Sequence, residues 1–134
     1  MTIHIMNRQF IVFLLIAFSS VSAKADVIDD ISNLFRTGNT VEISKYLASR
    51  IELNILSDQN SYQKTQATAA LNDFFKKHQP SSAKVVHKLT SNPNHLFAVM
   101  ILNTNNGVFR TSFSLLNTAG KFFITEISFE ANKD

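Results

Sequence analysis

Residues 96–130, LFAVMILNTNNGVFRTSFSLLNTAGKFFITEISFE, read as three antiparallel strands joined by two turns. The dipeptide Asn106-Gly107 is the strongest short hairpin signal in the chain, because a type I′ turn needs positive φ at both central residues. A two-residue loop there pairs Leu102 with Thr111, Met100 with Phe113 and Ala98 with Leu115, all on one face, since strand side chains alternate with period two. The second turn falls in Asn117-Thr118-Ala119-Gly120. A four-residue loop would set Glu126 opposite Thr111 and place a carboxylate on the apolar face. A three-residue loop, Thr118-Ala119 with Gly120 left-handed, sets Phe109 against Phe129, Thr111 against Ile127 and Leu115 against Phe123. The apolar sets match in that register, so it is the one expected, with Phe113 central between Met100 and Thr125.

The opposite face then carries Phe97, Val99 and Ile101 on the first strand, Leu116 on the second, and Phe122 and Ile124 on the third. Asn103, Arg110, Ser112 and Glu126 rim this apolar set, and Arg110 lies diagonal to Glu126 as an expected cross-strand ion pair. The face is too apolar to meet only water.

The start of the chain has a different logic. Residues 1–9 hold Arg8 and no acid, residues 10–18 are apolar without a break, and Ala23-Lys24-Ala25 follows as a small-residue cleavage pattern. The apolar run is far short of the roughly 20 residues a membrane span needs, so residues 1–25 are expected to be a cleaved secretory signal peptide. A cut after Ala23 and an uncleaved N-terminal anchor are the competing readings. Residues 26–134 remain, one domain by length, exported to the periplasm or the medium, with no membrane span after cleavage. There is no Cys, which excludes a lipid-modified cysteine anchor and any disulfide, so the domain must be held by its core. The leader takes Arg8 and Lys24 with it. The net charge of +3 therefore overstates any attraction to nucleic acid, and no nucleic-acid partner is expected.

Asp26 can cap a first helix whose apolar face is Val27, Ile28, Ile31, Leu34 and Phe35, with Gly38 as the stop. Thr40 is expected to cap a second, shorter helix over residues 41–48. Ile51, Leu53 and Ile55 alternate with polar residues as a strand, closed by the turn-rich residues 57–61. A third helix is expected from about Thr65 to His78, with Ala67, Ala70, Leu71, Phe74 and Phe75 as its stripe and Pro80 preventing continuation. Residues 83–89 form a further strand. The fold class is α+β: a curved antiparallel sheet with three helices packed on one face.

This order of elements resembles the cone-shaped nuclear transport factor two-like (cystatin-like) superfold. Within it, Gly38-Asn39, Ser44-Lys45-Tyr46-Leu47, residues 62–67 (YQKTQA), Asp73-Phe74-Phe75-Lys76, His87-Lys88 and residues 106–110 (NGVFR) are similar to a family of small exported Bacteroidetes-type proteins known only as a domain of unknown function. The resemblance covers essentially the whole exported part. It implies the fold but no chemistry, because the superfold hosts enzymes, ligand binders and dimerisation modules alike.

No catalytic motif stands out. Each Gly is explained by a turn, which leaves no phosphate loop, and the spacing of His78, His87 and His95 matches no metal-ligand pattern, so neither cofactor nor metal is expected. His78 ends a helix, where a cation suits the dipole, and His95 sits in a turn. His87 is the candidate acid or base, because it shares a strand face with Val85 and Leu89. A dyad would pair it with Glu52, Asp58 or Asp73. Lys76, Lys77, Lys84 and Lys88 form a basic edge at one helix–strand connection. Two function classes follow. The favoured one is an exported non-catalytic module that binds a ligand or envelope partner, or pairs with a second copy sheet to sheet. The alternative is a small isomerase, dehydratase or hydrolase-type enzyme that uses His87.

Overall fold

The structure, a computed structural model, describes residues 23–133. The expected leader therefore lies outside the described residues, except for its last three positions. The elements in chain order are α1 (Ala23–Thr37), α2 (Thr40–Ser44), β1 (Leu47–Ile55), β2 (Asp58–Gln63), α3 (Lys64–Lys77), β3 (Pro80–Leu89), β4 (His95–Thr104), β5 (Gly107–Thr118) and β6 (Lys121–Ala131). The six strands form one sheet in the order β2-β1-β6-β5-β4-β3. Neighbours are antiparallel except β1 and β6, which run parallel. No helix among the described residues is long and apolar enough to cross a membrane.

Turn chemistry sets the helix ends. Gly38 takes φ +62, Gly38 N–H donates to Phe35 O (3.1 Å) and Asn39 N–H to Leu34 O (2.9 Å), the Schellman pattern that ends α1. α1 begins upstream of Asp26, the residue expected to cap it. The cap of α2 is Asn39 and not Thr40: Asn39 Oδ1 accepts the Glu42 N–H at 3.2 Å. α2 also stops four residues early. Leu47, expected on its apolar side, instead opens β1, and the preceding Tyr46 carbonyl accepts Ile124 N–H from β6.

One strand escapes the sequence pattern. Residues 58–63 are too polar to read as anything but a turn, yet they pair antiparallel with β1, Tyr62 lying opposite Ile51. The free edge of β1 supplies the backbone partners, so no alternation of side chains is needed to hold β2.

Both hairpins differ from the expected registers. The first loop is Asn105-Asn106, not Asn106-Gly107, so Phe113 faces Ala98 and Thr111 faces Met100. The side chains of both loop residues explain the shift. Asn105 Oδ1 accepts Gln79 N–H (3.0 Å) and Asn106 Nδ2 donates to Lys77 O (2.9 Å), so the loop is fastened to the end of α3. Positive φ, the requirement of a type I′ turn, occurs at neither asparagine. The second hairpin has the type I′ character, with a two-residue loop of Ala119 (φ +54) and Gly120 (φ +85). A bulge on β6 at Thr125 then restores the apolar match: Leu115 pairs with Ile124 before it, and Phe113 with Ile127 after it.

The bulge reverses two face assignments. Ile124, expected on the open face, is fully buried in the core, while Phe123 turns outward beside Leu116. Phe122, also expected outside, packs against the core. A second irregularity, between Val85 and His87 on β3, keeps Val85 against the core and turns His87 outward.

All three helices cover one face, and aromatic rings fill the space between them and the sheet. Phe35 stacks on Phe113 (5.8 Å between centroids, 6° between planes), and Phe74 on Phe129 (4.0 Å, 24°). Phe75 meets Phe35 and Phe129 edge-on. Thr111 is fully buried within this layer, and its hydroxyl donates to Phe109 O at 3.5 Å.

Candidate functional site

Strand register places the outer-face residues in cross-sheet rows. One row runs Lys84, Ile101, Arg110, Glu130; the next His87, Val99, Ser112, Ser128, Asn54; a third Leu89, Phe97, Ser114, Glu126, Glu52. Leu116 and Phe123 pair at the end of the face nearest the second hairpin. Of the expected interface residues, Phe97, Val99, Ile101, Arg110, Leu116 and Glu126 therefore share the outer face, and Phe123 takes the place of Phe122, half-buried against the core, and of the buried Ile124. Leu89 and Leu116 are exposed, Phe97, Ile101 and Phe123 half-buried, and Val99 is shielded by its neighbours.

The Arg110–Glu126 ion pair does not form. Arg110 faces Glu130, and Glu126 faces Ser114, four residues further along β5 and so about 13 Å away. The ion pairs among the described residues are Lys45–Glu42 (3.0 Å) and Lys88–Asp29 (2.9 Å), the second tying β3 to α1 and taking one lysine out of the expected basic edge.

Charge on the outer face is divided by strand. No Asp or Glu occurs between Asp73 and Glu126, so β3, β4 and β5 carry only Lys84, His87 and Arg110 as ionisable groups in the central rows. The β6–β1 half carries Glu126, Glu130 and Glu52, with Arg50 and Lys121 toward its ends. One half is basic, the other mainly acidic, and the apolar residues lie between and among them.

His87 is exposed on this face. Glu52 lies four strands away, about 19 Å at strand spacing, and Asp58 and Asp73 line a groove on the helix-bearing side, so none of the three dyads is assembled. The space between the helices and the sheet is occupied by the Phe35, Phe74, Phe113 and Phe129 rings.

That groove, of about 390 Å³, was not anticipated. One wall is a single face of α3 and its end: Ala70, Asp73, Phe74, Lys77 and His78, at helical spacing. The other is the end of β1 and its turn, with Tyr62 from β2. At the lip, Leu56 holds φ +60, a conformation that β-carbon crowding disfavours, and its N–H donates to Phe129 O at 2.8 Å. His78 is fixed from three sides. Phe74 and Phe109 lie 4.8 Å from its ring, centroid to centroid, and its Nδ1 is 2.7 Å from Asn106 Oδ1. The helical spacing of the α3 residues was legible in the sequence; the part of the opposing wall that β2 supplies was not, because β2 itself was not.

A protein-family model described as "Domain of unknown function (DUF4783)" matches residues 28–130. Among solved structures, a DUF4783 family protein from Bacteroides uniformis is 27% identical, with a TM-score of 0.74 over 78% of this chain and 95% of that one. A domain of unknown function with a cystatin-like fold from Nostoc punctiforme is similar in fold at 7% identity, with a TM-score of 0.68 over 86% and 81% of the two chains. The protein Rd1NTF2_04 with long sheet superposes with a TM-score of 0.62 at 11% identity, over 78% of this chain and 97% of that one. No curated protein matches the chain. The expected architecture, nuclear transport factor two-like and cystatin-like, is the observed one.

Proposed function

Since the chain belongs to the DUF4783 family, a domain with no assigned chemistry, we propose that it is an exported, non-catalytic interaction module that pairs with a second copy through its outer sheet face. The observation that carries this reading is the division of charge across that face. A twofold axis running along the strands, over the boundary between β5 and β6, maps the basic half of one copy onto the acidic half of the other. Such an axis keeps each cross-strand row at its own height, so Arg110 approaches Glu130 of the partner subunit and Leu116 meets Phe123 of the partner subunit. A twofold axis across the strands would set like charges together and is disfavoured.

Area supports the same reading. Six strands about 4.8 Å apart, all but β2 about ten residues long, span roughly 29 by 33 Å, enough for the about 800 Å² per partner of a stable interface. Export rests on the leader pattern of residues 1–25.

Sedimentation velocity tests the pairing. Ile101→Lys sets a charge opposite Arg110, at the centre of the interface, and is expected to give a folded monomer. High salt should weaken the wild-type dimer, because part of its attraction is electrostatic. A wild type that sediments as a monomer at high micromolar concentration refutes the proposal.

A further inference from the structure

The groove between α3 and the β1–β2 hairpin has a chemistry distinct from the outer face, and the pairing proposed above does not use it. Its floor is apolar: Leu53 and Phe74 are buried, and Ile55 and Ala70 partly so. Its polar groups are mostly acceptors. Asp58 and Asp73 are carboxylates, and neither is ion-paired among the described residues.

His78 adds a third acceptor, and its proton position follows from its neighbours. The Lys77 carbonyl can only accept, so Asn106 must offer it the amide Nδ2. Asn106 Oδ1 is thereby turned to His78, where it accepts a hydrogen from Nδ1. In the neutral ring the lone pair is left on Nε2, which has no protein partner among the described residues. The flanking Phe74 and Phe109 rings prevent the imidazole from turning away. A histidine needed only to end a helix requires no such clamping of ring and tautomer.

The groove thus offers an apolar trough along about 12 Å of α3, from Ala70 to His78, beside two unpaired carboxylates and an oriented imidazole acceptor. Against these stands one ammonium, Lys77; it and both carboxylates are exposed. No group of three His, Cys, Asp or Glu among the described residues is placed to hold a metal ion, so the donor-rich ligand that fits is organic. We infer that the groove is a binding site for a small organic cation, a primary amine carried on an apolar stem. The stem lies on Phe74 and Ile55, and the ammonium pairs with the Asp73 carboxylate, with Asp58 and His78 Nε2 as further acceptors along the groove.

The test is a titration of the full exported domain, labelled with nitrogen-15, against hexylamine, 1-hexanol and hexanoate, followed by amide and imidazole resonances. Hexylamine should give saturable shifts confined to Leu56, Tyr62, Ala70 and the His78 ring. Hexanol should bind at least about tenfold more weakly and hexanoate not at all. Asp73→Asn should weaken the amine about tenfold while preserving the spectrum, and Ala70→Trp, which fills the trough, should abolish binding. Ile101→Lys should leave amine binding unchanged, which separates this site from the outer face. No saturable shift with hexylamine, equal affinity for hexanol, or undiminished binding by both groove variants overturns the inference.

Discussion

Replacing Phe113 by Ala probes whether the aromatic layer holds this disulfide-free domain together. Phe113 is 1% exposed, its ring stacked on Phe35, and its strand neighbours are Ala98 and Ile127. Burial of the ring, on the order of 150 Å² at about 25 cal/mol/Å², contributes about 4 kcal/mol. Collapse around the vacancy is hindered, because Phe35 is itself held edge-on by Phe75 at 5.9 Å and Ala98 is too small to fill it. The expected loss is therefore about 3–5 kcal/mol, a large share of the 5–15 kcal/mol typical of a domain. Urea unfolding followed by circular dichroism, at one fixed protein concentration, should show the midpoint falling by roughly 2–3 M with an unchanged slope. Ser112→Ala, one residue along and on the outer face, is the control and should cost less than about 1 kcal/mol. Equal losses at the two positions would mean that the helices do not cover the Phe113 face alone.

Other consequences can be checked as directly. Ala119→Gly should stabilise the domain by up to about 1 kcal/mol in the same urea assay, because Ala119 holds φ +54 and a glycine there loses the steric penalty. No gain would argue against the two-residue loop. Asn106→Ala removes the bonds to Lys77 O and His78 Nδ1 and should cost about 1–2 kcal/mol. The same substitution should release the His78 tautomer, visible as a change in its imidazole nitrogen shifts. Lys88→Ala breaks the bond to Asp29 between partly exposed partners and should cost less than about 1 kcal/mol; a larger loss would make that pair a structural anchor.

Much of the architecture was legible because it rests on local chemistry and periodicity. The apolar stripe of α1 and its Gly38 stop, the stripe of α3, and alternation in β1, β4, β5 and β6 all follow from side-chain spacing. So do the fold class and the face that buries Phe109, Phe113 and Phe129. Register was a different matter. Turn signals at Asn106-Gly107 and Asn117–Gly120 located both hairpins but not their loops, because competing loops differ by amounts that distant contacts outweigh. The Asn105 and Asn106 side chains bond to Gln79 and Lys77, some thirty residues back, and no local signal near the turn encodes those partners.

The candidate sites depend on that distinction. The mixed outer face was readable as an amphipathic set, and six of its eight expected interface residues share one side. Phe122 and Ile124 do not, since the bulge at Thr125 follows from closing a two-residue turn while keeping Ile127 and Phe129 inside. The irregularity beside Val86 likewise sends His87 outward, although simple alternation puts it with Val85. The groove lay beyond reach, because part of one wall is β2, whose polar residues form a strand only when the edge of β1 offers hydrogen-bond partners. What the amino-acid order determined by itself was which residues want burial and where the chain turns. Which strands lie side by side, and so which polar groups meet across a groove, was decided only by packing the Phe35, Phe74, Phe113 and Phe129 rings into one layer that every register has to accommodate.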